Sequence, residues 1–211
     1  MTRPDTKQII YDAACELFYS QGYKNTTVAE IIELSQTNKG SFYHHFEGKA
    51  HLGYNIYQNM HNAINASLRE LFPSAQVIER LFLEECIFWR LFFGQENIRR
   101  FIAELFETSY IDIKAEYFEA ILDLSAVDLS IRDLLMIQGV ELSLRCWFTS
   151  YVNNIVERLK EPELVHFYLR YWLSLYQIPK DVVDSHVEEA YQSMQDLSIN
   201  NDVFAIQISQ I

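Results

Sequence analysis

The run Thr27-Val28-Ala29-Glu30-Ile31-Ile32-Glu33-Leu34-Ser35-Gln36-Thr37-Asn38-Lys39-Gly40-Ser41-Phe42-Tyr43-His44-His45-Phe46 decides the architecture of this chain. Thr27 followed three residues on by Glu30 makes a capping box, each side chain taking an N–H that a helix start leaves unpaired. A short helix therefore spans about 27–34. The connection Ser35-Gln36-Thr37-Asn38 is tight and ends on a second good N-cap, Asn38. A further short helix spans about 39–45, with Phe42 and Phe46 one turn apart. Upstream, Ile10, Ala13, Ala14, Leu17 and Phe18 line one face of a helix over about 6–21, which Gly22 closes. Two short helices joined by a tight turn and braced by a longer one describe a helix-turn-helix. Its second helix is sized to enter the major groove of DNA with its N-terminal residues at the base edges. Lys39, Gly40 and Ser41 stand at that end, and Gly40 lets the backbone approach closely. Tyr43, His44 and His45 follow within reach of phosphates, and Lys49 opens the next helix as a cation beside the groove.

Beyond Gly48 the helices lengthen. A stripe of Leu52, Ile56, Met60, Ile64 and Leu68 predicts one over 49–71, and others are expected at about 75–93, 95–108, 111–124, 129–159, 162–177 and 180–197. Pro73 restarts the chain after the first of these, and Pro162 and Pro179 sit where later helices begin. The expected fold is all-α: a helix-turn-helix DNA-binding domain over 1–48, a larger helical ligand-binding and dimerisation domain over 49–199, and a tail over 200–211 that frays. No strand pattern is expected.

Composition bounds the rest. The 211 residues are 49% hydrophobic and 22% charged, which is globular, and only six Gly and four Pro suit long helices. The net charge of −12 opposes nucleic-acid binding, yet residues 1–52 carry five basic against six acidic side chains, so the acidity lies elsewhere. Cys15, Cys86 and Cys146 are odd in number and far apart, which gives neither a disulfide framework nor a zinc site. The start of the chain lacks the apolar core of a signal peptide, and no stretch is long and apolar enough to span a membrane, so a cytoplasmic protein is expected. Phosphate-loop, nucleophile-elbow, zincin and dinucleotide-turn signatures are absent, so neither an enzyme nor a cofactor is expected. His44, His45 and His51 lack the spacing of a metal site; His61, His166 and His186 are taken for surface or interface residues, and Glu84-Glu85 and Glu188-Glu189 for solvated helix faces.

Residues 27–32, then Lys39-Gly40-Ser41-Phe42-Tyr43-His44-His45-Phe46, then Lys49 and Leu52, resemble the DNA-binding motif of the tetracycline-repressor (TetR) family. Gly22-Tyr23-Lys24-Asn25-Thr26-Thr27 is similar to that family's link between its first two helices. The resemblance covers about residues 9–52 and implies base contacts from Lys39, Ser41 and Tyr43. It also implies phosphate contacts from Thr27, His44, His45 and Lys49, over a small core of Phe42 and Phe46. The turn departs from the pattern: Ser35-Gln36-Thr37 stands where the family commonly has Ala-Gly-Val, so Gln36 lacks glycine's ease at positive φ and Thr37 brings a hydroxyl to an apolar site.

If the N-terminal unit reads double-stranded operator DNA, the remainder has two tasks. Dimerisation is expected through the 129–159 and 162–177 helices, the latter apolar almost all round, with Phe167, Arg170, Tyr171 and Trp172 at the interface. The resemblance also implies a pocket for a small apolar or aromatic effector. Its candidate lining is Phe82, Cys86, Trp89, Phe93, Phe101, Phe106, Tyr110, Tyr117, Trp147 and Tyr151, with Arg90 and Arg145 as polar anchors. A helical protein-interaction module with a degenerate helix-turn-helix is the competing expectation, motivated by Gln36, Glu47 and the near-neutral N-terminal charge.

Overall fold

The computed structural model describes residues 5–107, 115–125, 129–130, 132–134, 136–137, 139–140, 143–144, 149 and 161–211, and for 115–118 and 120 the backbone alone. Helix α1 (Thr6–Gln21) starts where the Asp5 carboxylate accepts from Lys7 N at 3.2 Å, and buries Ile10, Ala13, Ala14 and Phe18. Gly22 closes it at φ 89°, and the space beside it is already taken: a Cβ there would lie 3.0 Å from Glu104 Oε2. The capping box forms at α2 (Val28–Leu34), with Thr27 N donating to Glu30 Oε2 at 2.7 Å and Glu30 N to Thr27 Oγ1 at 3.2 Å. Asn38 caps α3 (Lys39–His45) by accepting from Ser41 N at 2.9 Å. Phe18, Ile31, Phe42 and Phe46 are buried and form the little core beneath.

The atypical turn is accommodated without glycine. Gln36 adopts φ 51°, the left-handed region expected at that position. The Ser35 and Thr37 hydroxyls meet at 2.8 Å, so two polar side chains placed at apolar sites satisfy each other.

Helix α4 (Lys49–Leu71) buries the expected stripe and, beside it, Gly53, Tyr57, His61 and Asn65. Gly53 is required by close approach, since a Cβ would come within 2.9 Å of both Leu105 and Tyr23 side chains. Helix α5 (Val77–Gly94) is buried from Leu81 to Trp89 without a break and packs on α4 and on α6 (Glu96–Phe106). Then follow α7 (Ala115–Leu124), α8 (Glu161–Ser174) and α9 (Lys180–Ser193). Of the expected 129–159 helix, residues 132–134, 136–137, 139–140, 143–144 and 149 are helical and most others lie outside the described residues.

Two expectations are corrected. The 200–211 segment does not fray: β1 (Leu197–Asp202) and β2 (Ala205–Gln210) form an antiparallel hairpin, Leu197 opposite Gln210 and Asp202 opposite Ala205. The strand β2 lies along α4. Val203 and Phe204 turn the hairpin at φ 47° and 69°, and Phe204 is driven between α1 and α6, its ring 4.6 Å from Phe101 and 5.7 Å from Tyr19. That burial holds a turn that glycine or asparagine would make more easily.

The second correction concerns α8, which is not apolar towards a partner on every side. Its Leu164, Val165, Tyr168, Leu169, Trp172 and Leu173 are buried within the protomer. Trp172, expected as an interface anchor, is 1% exposed and turned inward, while Arg170 is spent on an ion pair with Asp184 of α9. Of the four expected interface residues, Phe167 and Tyr171 project, half exposed, their rings parallel at 6.3 Å.

Candidate nucleic-acid interface and the helical interior

Because Phe42 and Phe46 point into the core, helical geometry sends Lys39, Gly40, Tyr43 and His44 outward from α3. All four are exposed, whereas Ser41 and His45 are half-buried beside them. Tyr43 keeps 49% of its surface open, and the Lys39 ammonium lies 6.0 Å over its ring. A cation, a phenol and an imidazole thus share one outward helix face, with the Ser41 hydroxyl half-buried at its edge. That chemistry suits phosphate oxygens and base edges. His51 Nδ1 accepts from Glu47 N at 3.1 Å, which ties that imidazole to the backbone. Among the described residues no three His, Cys, Asp or Glu side chains are grouped to hold a metal ion.

Thr27 and Lys49, also expected at phosphates, have internal duties. The Thr27 hydroxyl belongs to the capping box. Lys49 Nζ donates to Tyr23 O at 2.9 Å and Thr26 O at 2.8 Å and sits 4.4 Å over the Tyr23 ring. Burial pulls this ammonium below the usual lysine value, with Glu104 and Glu30 opposing the shift. Lys49 therefore pins the start of α4 to the link between α1 and α2. Helix α6 grips the end of α1 and the same link. Arg100 Nη2 donates to Tyr19 O and Ser20 O, both at 2.9 Å, and Glu104 Oε2 accepts from Lys24 N at 2.6 Å. Glu107 completes the grip by pairing with the Lys24 ammonium, which raises that amine above its usual value.

Of the expected effector-site residues, Phe82, Cys86, Trp89, Phe93, Phe101 and Phe106 are buried. They do not share one environment. Phe82 stacks on His186 of α9 at 4.9 Å, whereas Phe101 stacks on Phe18 at 5.6 Å and belongs to the seam with the N-terminal module. Trp89 donates its indole N–H to Glu85 Oε2 at 3.0 Å and lies 4.6 Å from Tyr168. Burial, then Glu85, raises the Cys86 thiol well above its usual range, so it is a neutral apolar group here. Arg90 already has partners, with its Nε 3.6 Å from Glu161 Oε1 and its guanidinium 5.5 Å from the Tyr191 ring. Tyr110, Arg145, Trp147, Tyr151 and the side chain of Tyr117 lie outside the described residues.

Sequence reasoning misplaced three polar residues. Glu84 and Glu85 are not a solvated face: they are 1% and 6% exposed. His61 is 6% exposed, and its Nδ1 stands 2.7 Å from Glu84 Oε1. The signal was present in the unbroken apolar run around Glu84-Glu85, because a helix apolar on every side is buried on every side.

A three-helix unit with the second short helix exposed defines a helix-turn-helix protein. Residues 10–52 match the family model described as bacterial regulatory proteins, tetR family. The chain is similar to the HTH-type transcriptional regulator QacR of Staphylococcus aureus, 46% identical over 46 residues, which is 22% of this chain and 24% of that one. It is also similar to the HTH-type transcriptional repressor DhaR of a Mycobacterium species, 27% identical over 77 residues, covering 36% and 39% of the two chains. To TtgR of Pseudomonas putida, an HTH-type transcriptional regulator, it is 37% identical over 57 residues, 27% of each chain. The similarity thus spans between about a quarter and two fifths of these relatives. Among solved structures, the TetR regulator TylP of Streptomyces fradiae aligns over 90% of this chain and all of its own, with 19% identity and a TM-score of 0.45. The TetR family protein CprB of S. coelicolor aligns over 90% and 98%, with 20% identity and a TM-score of 0.46. Among the described residues no helix is long and apolar enough to cross a membrane.

Proposed function

We propose that this chain is an effector-responsive transcriptional regulator, acting as a repressor, that binds a two-fold operator as a homodimer. The observation that carries this is the outward face of α3, where Lys39, Gly40, Tyr43 and His44 are exposed on a module of the tetR family. The relatives named as transcriptional regulators or repressors support the same reading. In the dimer, Phe167 and Tyr171 meet a second copy across a groove of about 400 Å³ that they line with Val140, Ser143 and Leu144. A small apolar or aromatic effector bound in the helical body shifts α4 and α6, and the grip of Arg100, Glu104 and Lys49 on the link between α1 and α2 carries that shift to the reading heads. Two recognition helices that no longer match the half-site spacing then release the operator.

Selection of genomic fragments on the purified protein, followed by fluorescence anisotropy on the enriched site, tests this. Tyr43→Ala should weaken binding by about 1–3 kcal/mol with the fold intact. Tyr171→Glu should yield monomers with little operator affinity. Salt-insensitive binding, or no enriched sequence, would instead support the protein-interaction module that the near-neutral N-terminal charge suggests.

A further inference from the structure

One polar atom in the interior of the helical body is out of keeping with its surroundings. On α4, His61, Asn65 and Arg69 succeed one another at single-turn spacing and face Glu84 of α5. Arg69 Nε donates to Asn65 Oδ1 at 2.8 Å, which fixes the amide so that Asn65 Nδ2 donates to Glu84 Oε2 at 3.0 Å. Glu84 is thereby an acceptor at one oxygen, and its other oxygen receives His61 Nδ1 at 2.7 Å. Nδ1 accordingly carries a proton, so that in the neutral form of the imidazole Nε2 carries a lone pair. That Nε2 is buried and, among the described residues, has no hydrogen-bond partner. Its ring is walled by aromatics, stacked on Phe88 at 4.5 Å and edge-on to Tyr57 at 4.7 Å. A three-residue polar chain that orients an imidazole, only to leave its acceptor unanswered among aromatic rings, is the arrangement of a ligand contact.

We propose that His61 Nε2 is the orienting contact of the effector site, and that the effector is a small aromatic molecule bearing a hydroxyl donor, of the phenol class. The hydroxyl donates to Nε2 and the ring packs among Tyr57, Phe88 and their neighbours. This deepens the regulatory function proposed above and rests on it, because His61 lies on α4, the helix whose first residue is tied to the DNA-binding module through Lys49.

The test uses the full chain labelled with ¹⁵N-histidine, with phenol and its methyl ether, anisole, as probes. Phenol should move the His61 Nε2 resonance saturably, and anisole, which has the ring but no donor, should bind at least about tenfold more weakly, the discrimination expected when a buried polar group is left unpaired. His61→Phe should abolish that preference in calorimetry. Because that variant strands Glu84 and can fail to fold, the wild-type resonance decides if it does. Equal response to both probes, or to neither, overturns the proposal, the second outcome meaning that water alone answers Nε2. Operator binding is measured separately, so loss of DNA binding with an intact phenol response sinks the regulatory function and leaves the site standing.

Discussion

Two of the tight turns that place ordinary residues in the left-handed region are held there by different means. The turn between α2 and α3 sets Gln36 at φ 51°, flanked by an N-cap on each helix and by the mutual hydrogen bond of Ser35 and Thr37. Everything that supports it is local. The hairpin turn sets Val203 and Phe204 at φ 47° and 69°, and what supports it is distant: Phe204 is 3% exposed against Phe101 and Tyr19. Within the turn itself only Asn201 helps, accepting from Phe204 N. A turn held by its neighbours in sequence can be read from the sequence. One held by its neighbours in space cannot.

The sharpest way to break this contrast is Phe204→Ala. Removing a buried ring costs about 3 kcal/mol or more, and the loss should be felt at both ends, because the same ring braces α1. Chemical denaturation should show the stability loss, and amide exchange should quicken in the hairpin and in α1 together. Confinement to the hairpin would mean that Phe204 anchors only its own turn. A smaller effect is expected from Ser35→Ala, which strips the Thr37 hydroxyl of its partner and costs about 1 kcal/mol. The double variant with Thr37→Val should recover most of it. Gln36→Gly relieves the left-handed backbone and should stabilise the module by roughly 0.5–1 kcal/mol, seen as a higher denaturant midpoint.

The least effect is one of pH. Hydrogen bonds from the Thr27 hydroxyl, then its N–H, hold the Glu30 carboxyl below its ordinary value. For a carboxyl depressed in the folded state, the stabilisation is present above the ordinary value and fades as pH falls through the folded one. Amide exchange at the first turn of α2 should therefore rise on acidification while that of the hairpin stays level. A hairpin that loosens first would reverse the comparison.

The same contrast governs how much was legible. Caps and periodicity place α1 to α4 within a residue, because Thr27 and Asn38 act on their own helix starts and the apolar stripes of α1 and α4 lie along single helices. The outward set on α3 followed from the inward pair Phe42 and Phe46. The internal role of Lys49 is not legible, because nothing near it in sequence says that its ammonium is claimed by Tyr23 O and Thr26 O. The hairpin went unseen because Leu197-Ser198-Ile199 and Ala205-Ile206-Gln207-Ile208 alternate only briefly and no glycine marks the turn. Glu84 reads as a solvated residue and His61 as a surface or interface one because each looks polar alone, and only the meeting of α4 and α5 makes them partners.

The hairpin also bears on the order in which the molecule is made. Tyr19 and Phe204 are separated by nearly the whole of this sequence, so the contact between them is among the most non-local in the fold. During synthesis the helix-turn-helix emerges first and has its own small core of Phe18, Ile31, Phe42 and Phe46. Lys49 and the α6 side chains brace it next, and the last brace arrives only once residues 197–210 have left the ribosome. A nascent chain therefore carries its helix-turn-helix before it has the Phe204 ring that packs against Tyr19 of α1, and a chain that ends upstream of Phe204 should hold α1 less firmly, with faster amide exchange there.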